Sequence, residues 1–235
     1  MAAERHLEWA GCYNVRDLGG LPIRGGGATR PAAVVRADSL DRLTSEGWAA
    51  LHAYGIRTVV DLREDEERST TVTRPDGITV VHVPLDDNAD TAFWSWCLDD
   101  DADGTPLYYR PFLEHKAERC VAAIAAVATA EPGGVVVHCG IGRDRTGLVA
   151  LILLALAGVE PDAIVADYAV SGERLKRYFN HPRQDDPIAE RLAERGTTIA
   201  EVLTELVTEV DIEACLAAAG LGAAELYALR TRMTV

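Results

Sequence analysis

An α/β fold with a central, mostly parallel sheet flanked by helices is predicted by three observations. Strand-like runs alternate with helix-like runs along the 235 residues. The strand runs are apolar throughout rather than on alternate residues, as in sheets covered on both faces. Three of them end in polar clusters, Arg36-Ala37-Asp38-Ser39, Asp61-Leu62-Arg63 and His138-Cys139, which the pattern puts on one rim. In such sheets ligands bind beyond the carboxyl ends of the strands.

Each element follows from local chemistry. "AAVVRADSL" (32–40) is a short strand running into a polar turn. "TSEGWAALHAYG" (44–55) is a helix that Thr44 or Ser45 caps and Gly55 ends. "IRTVVDLR" (56–63) and "GITVVHVPLDD" (77–87) are β-rich strands. "EHKAERCVAAIAAVATA" (114–130) has helical spacing and stops at "EPGG". "VVVHC" (135–139) is an apolar strand, and "RTGLVALILLALAG" (145–158) is a helix apolar enough to be buried. From Pro161 onward the chain reads as helical, with breaks near Gly172, at "NHPRQDDP" and at Gly220–Gly222. No linker or repeat divides the chain, so 1–235 is read as one domain.

Composition narrows the function. A net charge of −14 excludes the Lys/Arg fields that carry nucleic-acid or anionic-membrane binding. The five cysteines have long, irregular spacings, and His6, His52, His82, His115 and His181 are scattered, so neither a metal site nor a disulfide framework is expected. The start, "MAAERHLEWAG", has no apolar core, and the longest apolar run (148–157) is too short to span a bilayer. A cytoplasmic protein is expected, leaderless export being the exception.

The chemistry concentrates in "HCGIGRDRTG" (138–147), a C-x5-R arrangement between a buried strand and a buried helix. Gly140 and Gly142 allow a sharp turn whose backbone N–H groups converge as an anion nest, and the next helix adds its positive end. Arg145 offers a planar fork to two phosphate oxygens. Cys139 lies at the floor of the nest, where the same donors favour its thiolate. His138 is expected to brace the loop, and Thr146 to donate to the sulfur. A lone cysteine at a strand end is more often structural. This one comes with a histidine, glycines, an arginine and a threonine in the positions a nucleophile under a phosphoryl group requires.

This loop resembles that of cysteine-based phosphatases. More narrowly, it is similar to bacterial atypical tyrosine phosphatases, dual-specificity toward tyrosine and phosphoinositide, whose loop reads H-C-x-x-G-K-D-R-T-G and which carry N-F-R-D-L-G-G near the start. Here "NVRDLGG" stands at 14–20, and "VVRADSL" (34–40), "VVDLREDEER" (59–68) and "VADYAVSGERLKRYF" (165–179) also look familial. The resemblance implies a cysteine-phosphatase fold, catalysis without cofactor or metal through a phosphocysteine intermediate, and phosphate binding by Gly140, Ile141, Gly142, Arg143, Thr146 and Gly147. By analogy it also implies a helical lid over 171–207. Arg143 replaces the family's lysine, which bears on phosphoinositide activity. Arg16 and Asp17 of "NVRDLGG" are expected to brace the loop from below.

The leaving oxygen needs a proton. Many cysteine phosphatases hold the acid after the preceding strand, where "VPLDDNAD" offers Asp86 and Asp87; Asp61 is a further candidate. In the resembled family the acid is the loop aspartate, here Asp144, which is preferred. The stretch "DDNADTAFWSWCLDDDADGTPLYY" reads as an insertion, with Trp94 and Trp96 either a substrate wall or its own packing and the acids at 99–103 a solvated loop. The expected function is phosphomonoester hydrolysis, foremost of phosphotyrosine proteins. The alternatives are a small-molecule phosphatase, a phosphoinositide phosphatase, and a non-catalytic phosphate-binding module.

Overall fold

The computed structural model describes residues 5–69, 74–179 and 187–235. Its sheet has the order β1-β2-β5-β3-β4, from β1 (Arg16–Asp17), β2 (Val34–Ala37), β3 (Ile56–Asp61), β4 (Thr79–His82) and β5 (Gly134–His138). Only β1 runs antiparallel. The expected α/β class and the covered parallel sheet are therefore present. β1 is too short to show as a pattern in the sequence.

Register explains the common rim. His138 pairs with both Ala37 of β2 and Asp61 of β3, so the three polar strand ends stop at one level. The two faces of the sheet are covered unequally. One carries α1 (Ser45–Ala53) and the N-terminal segment, packed through Trp9, Val15, Trp48 and Leu51. The other carries α3 (Tyr109–Ala128), α4 (Arg145–Leu156) and the C-terminal helices α7 (Ile199–Glu209), α8 (Ile212–Ala218) and α9 (Ala223–Met233). α4 is enclosed almost all round, which is why its sequence lacks a polar stripe.

Local chemistry sets most boundaries. Thr44 accepts the Gly47 N–H as the α1 cap, and Gly55 ends the segment at φ +97°. α3 begins five residues earlier than periodicity suggests, because Pro111 is tolerated in a first helical turn. α5 (Pro161–Phe179) corrects the expected break near Gly172: it runs straight through. The buried Asp167 and Ser171 both anchor that stretch to Arg16 and Arg36, and these contacts outweigh glycine's weak helix propensity. The break expected at "NHPRQDDP" lies almost wholly outside the described residues; α6 (Pro187–Glu194) follows it. The break at Gly220–Gly222 separates α8 from α9.

The insertion forms α2 (Thr91–Asp99). Trp94 packs edge-on to Phe93 and tilted against Tyr108, and donates its indole N–H to the Asp86 carbonyl at 3.1 Å. Trp96 is exposed. No helix among the described residues is long and apolar enough to cross a membrane.

Candidate active site

The segment 139–145 joins β5 to α4, and everything around it is arranged to turn its carbonyls outward. The Gly140 carbonyl accepts from Ser39 N at 2.9 Å. Asn14 Nδ2 donates to the carbonyls of Ile141 and Gly142, both at 3.1 Å, and Arg36 Nη2 donates to Gly142 O at 2.9 Å. A trans peptide points its N–H opposite to its C=O, so the N–H groups of Ile141, Gly142 and Arg143 face the other way, into the cradle. Gly142 has φ +73°, and a Cβ there would meet the Ala37 carbonyl at 2.4 Å. Gly140 needs no such freedom, contrary to the sequence reading; a Cβ there would have nothing nearer than 3.9 Å. Gly147 is required for another reason, since a Cβ would strike the Tyr109 hydroxyl at 2.7 Å and the Tyr168 ring at 2.8 Å.

Cys139 lies at the strand end, 2% exposed. His138 Nδ1 donates to the Cys139 carbonyl at 3.1 Å. Burial lowers the basicity of His138, against the opposing pull of Asp61. The Thr146 hydroxyl is buried and makes no hydrogen bond within the described residues, so the expected donation to sulfur is not made in this state.

Arg145 is held by two carboxylates. Glu67 takes its Nη1 and Nη2 end-on, the latter at 2.6 Å, and Asp86 lies 3.2 Å from Nη1. Of the five guanidinium protons this leaves the side-on pair, Nε–H and the second Nη2–H, for two phosphate oxygens. Burial alone would weaken the Arg145 charge; Glu67 above all, with Cys139 and Asp86, more than restores it.

The four candidate acids differ sharply. Asp61 is spent structurally: Arg63 binds both its oxygens at 2.9 Å, and despite burial that partner and His138 hold its pKa down at about 2. Asp87 faces α3, paired with Arg119 at 3.1 Å and Lys116 at 3.3 Å. Asp86 is different. Burial, reinforced by Glu64, Glu67 and Asp144 and opposed by Arg145, lifts it to about 7. Asp144 is also raised, by burial against the charges of Arg143 and Arg145, and its Oδ1 is enclosed without a hydrogen bond among the described residues. Tyr109 fixes the backbone there by donating to the Asp144 carbonyl at 2.8 Å. Arg143 is 9% exposed and its Nε lies 3.6 Å from Asp144, so it packs inward rather than at the rim.

Of the expected braces, Arg16 acts one step removed, donating to Asn14 Oδ1 at 2.7 Å. Asp17 braces something else. Its carboxylate accepts from Gly19 N, Ala32 N and the Tyr54 hydroxyl at 2.6–2.8 Å, tying the β1–β2 connection to α1. Sequence reading missed Asn14, Arg36, Asp38, Glu67 and Asp167. All five lie inside segments that carry the resemblance, four as buried polar positions and Glu67 in an exposed acidic turn after a strand end on the active rim.

A family model described as the tyrosine phosphatase family matches residues 7–235. The chain is 31% identical over 258 aligned positions to the triple specificity protein phosphatase PtpB of Mycobacterium tuberculosis, spanning 97% of this chain and 88% of that one. It is 30% identical over 161 positions to a tyrosine-protein phosphatase of Nostoc commune, spanning 67% and 53%. The crystal structure of P. aeruginosa TpbA in complex with pTyr, in a variant with serine in place of a cysteine, superposes with a TM-score of 0.44 at 16% identity, covering 80% of this chain and 86% of that one.

Proposed function

The chain belongs to the tyrosine phosphatase family, and from that premise we propose a two-step displacement at Cys139 with Asp144 as the proton donor. The protein is a cysteine-dependent phosphatase of the protein-tyrosine type, converting a phosphorylated substrate to inorganic phosphate. The Cys139 thiolate attacks phosphorus; the S–P bond forms as the bond to the leaving oxygen breaks, and that oxygen takes the carboxyl proton of Asp144. Water then attacks phosphorus, returns a proton to the carboxylate, and displaces the thiolate. The N–H groups of the loop and the side-on fork of Arg145 hold the equatorial oxygens, where charge develops.

The observation that carries this reading is the outward turn of three successive loop carbonyls at the end of β5, directly after Cys139. Cys139→Ser tests it: aryl phosphate turnover falls more than about a thousandfold while inorganic phosphate still binds. Unchanged turnover sinks the mechanism.

A second reading makes Asp86 the donor. It is favoured by a carboxyl that stays half-protonated near pH 7 and lies against Arg145. The charge of Asp144 adds to the rise of Asp86, so the titration of one carboxyl is felt by the other.

The substrate is read as a phosphotyrosine protein in the cytoplasm. The PtpB relative's triple specificity extends the test to other esters, and a panel of phosphotyrosine peptides, phosphoinositides and sugar phosphates ranks them. With Arg143 turned inward, phosphoinositides rank low. Of the lid expected over 171–207, Ser171 is held beneath the loop, α7 packs into the core and 180–186 lie outside the described residues, so the lid is read as α6 within one domain; α6 reaches the insertion through Arg191, which bonds Asp101 at 2.6 Å. Faster hydrogen exchange in α6 without phosphate than with it supports that reading, and equal exchange refutes it.

A further inference from the structure

Beneath the phosphate loop, on the side away from the cradle, three arginines converge on one carboxylate. Asp167 of α5 receives Arg5 at 2.8 Å, Arg16 at 3.1 Å and Arg36 at 2.9 Å. Arg16, Arg36 and Asp167 are all at most 1% exposed. Arg16 also bonds Ser171 at 2.9 Å and the Asp167 carbonyl at 2.7 Å. Such clustering costs free energy. Burial and the neighbouring charge of Arg36 pull Arg16 down to about 9, still charged at neutral pH. Against its own burial, Asp167 is held far below the usual carboxylate range by the three cations. Of the nearby carboxylates, Asp38 is taken by Arg42 at 2.9 Å and by the N–H groups of Tyr13 and Asn14. Asp17 is turned to Gly19, Ala32 and Tyr54. Neither reaches the guanidinium groups.

A stabilising ion pair would have needed one arginine. Two surplus cations in a dry interior are a cost unless something uses them. The cluster reaches the loop by two routes: Arg36 bonds the Gly142 carbonyl directly, and Arg16 acts on the same carbonyl through Asn14. A cation on a carbonyl polarises that peptide and strengthens its N–H as a donor. The N–H on the far side of the 142–143 peptide faces the cradle. We propose that the Arg5–Arg16–Arg36–Asp167 cluster is a buried positive reservoir that tunes the affinity of the loop for the phosphoryl dianion, with Arg36 and Asn14 as positioning residues that transmit it. This rests on the phosphatase reading above.

The test is the inhibition constant of inorganic phosphate against an aryl phosphate, measured on the whole protein. Arg5 lies at the cluster's edge and does not touch the loop. Arg5→Gln removes one positive charge and weakens phosphate binding roughly threefold, while Arg5→Lys restores it. Asp167→Asn removes the single negative charge and tightens binding by a similar factor. A purely structural brace predicts the opposite for Asp167→Asn, a loss. If both Arg5→Gln and Asp167→Asn weaken binding, or neither changes it, the proposal is wrong. If Asp167→Asn does not fold, the Arg5 pair decides: equal affinity in Arg5→Gln and wild type overturns it. Failure of the wild type to bind phosphate or turn over would instead count against the phosphatase reading.

Discussion

The two sides of the phosphate loop are electrostatic opposites. Below it, three arginines surround one carboxylate in a dry interior. Above it, the carboxylates Glu67 and Asp86, with Asp144 nearby, surround one arginine at a half-open mouth. The lower side holds charges that stay fixed at any physiological pH. On the upper side burial lifts Asp86 to about 7 and raises Asp144, whereas Arg145 holds Glu67 down against its own burial. The lesson is a division of labour: the floor sets how strongly a dianion is held, and the mouth moves protons.

The hardest blow to this contrast is Arg145→Lys. It keeps the mouth's charge but loses the planar fork, and kcat/KM toward an aryl phosphate falls roughly a hundredfold to a thousandfold. A loss under tenfold would mean that charge alone suffices there.

Next come the two acids. Asp144→Asn lowers turnover of an alkyl phosphate by about a hundredfold and of an aryl phosphate far less, because only the poor leaving group needs the proton. If Asp86→Asn shows that discrimination instead, the donor is Asp86. With Asp86 as the donor, turnover declines as pH rises through about 7, where Asp86 loses its proton, and Asp86→Asn removes that limb from the pH–rate profile. Stability follows with a definite sign. The folded state holds the Asp86 proton more tightly than the unfolded chain does. Its contribution is therefore greatest in acid and is lost as pH climbs from about 4 to about 7. Asp86→Asn thus melts higher than wild type at pH 8 by a few degrees, with little difference near pH 4.

Glu67→Gln sharpens the contrast more gently. It withdraws one negative charge from the mouth, and inorganic phosphate binds roughly threefold tighter. Unchanged affinity would show that Glu67 does not compete with the bound anion.

The smallest functional effect is expected at Asp17. Asp17→Asn costs about 1–3 kcal/mol in chemical denaturation, since three donors lose a charged acceptor. kcat/KM stays within about twofold, because none of those donors belongs to the loop.

Much of the site was legible because its chemistry is contiguous. Cys139, Arg145 and their glycines sit in one short segment, and periodicity placed that segment between a strand and a helix. The rim was legible too, since parallel strands with polar ends must bring them together. Asp61 looked like an acid because nothing along the chain says that Arg63, two residues on, folds back onto both of its oxygens. Asp17 looked like a brace because it adjoins Arg16, yet neighbouring residues in β1 point to opposite faces of the sheet.

By itself, then, the sequence determined the fold class and marked Cys139 and Arg145 as the candidate nucleophile and phosphate fork, all of which depend on local spacing and on burial patterns along the chain. Only the tertiary structure decided which carboxyls can hold a proton and which are bound as salt. It also decided that Asn14, Arg36 and Asp167, from three distant segments, form the floor. The reason is physical: a carboxyl's protonation depends on charges and burial within a few ångströms, and those neighbours come from elsewhere in the chain.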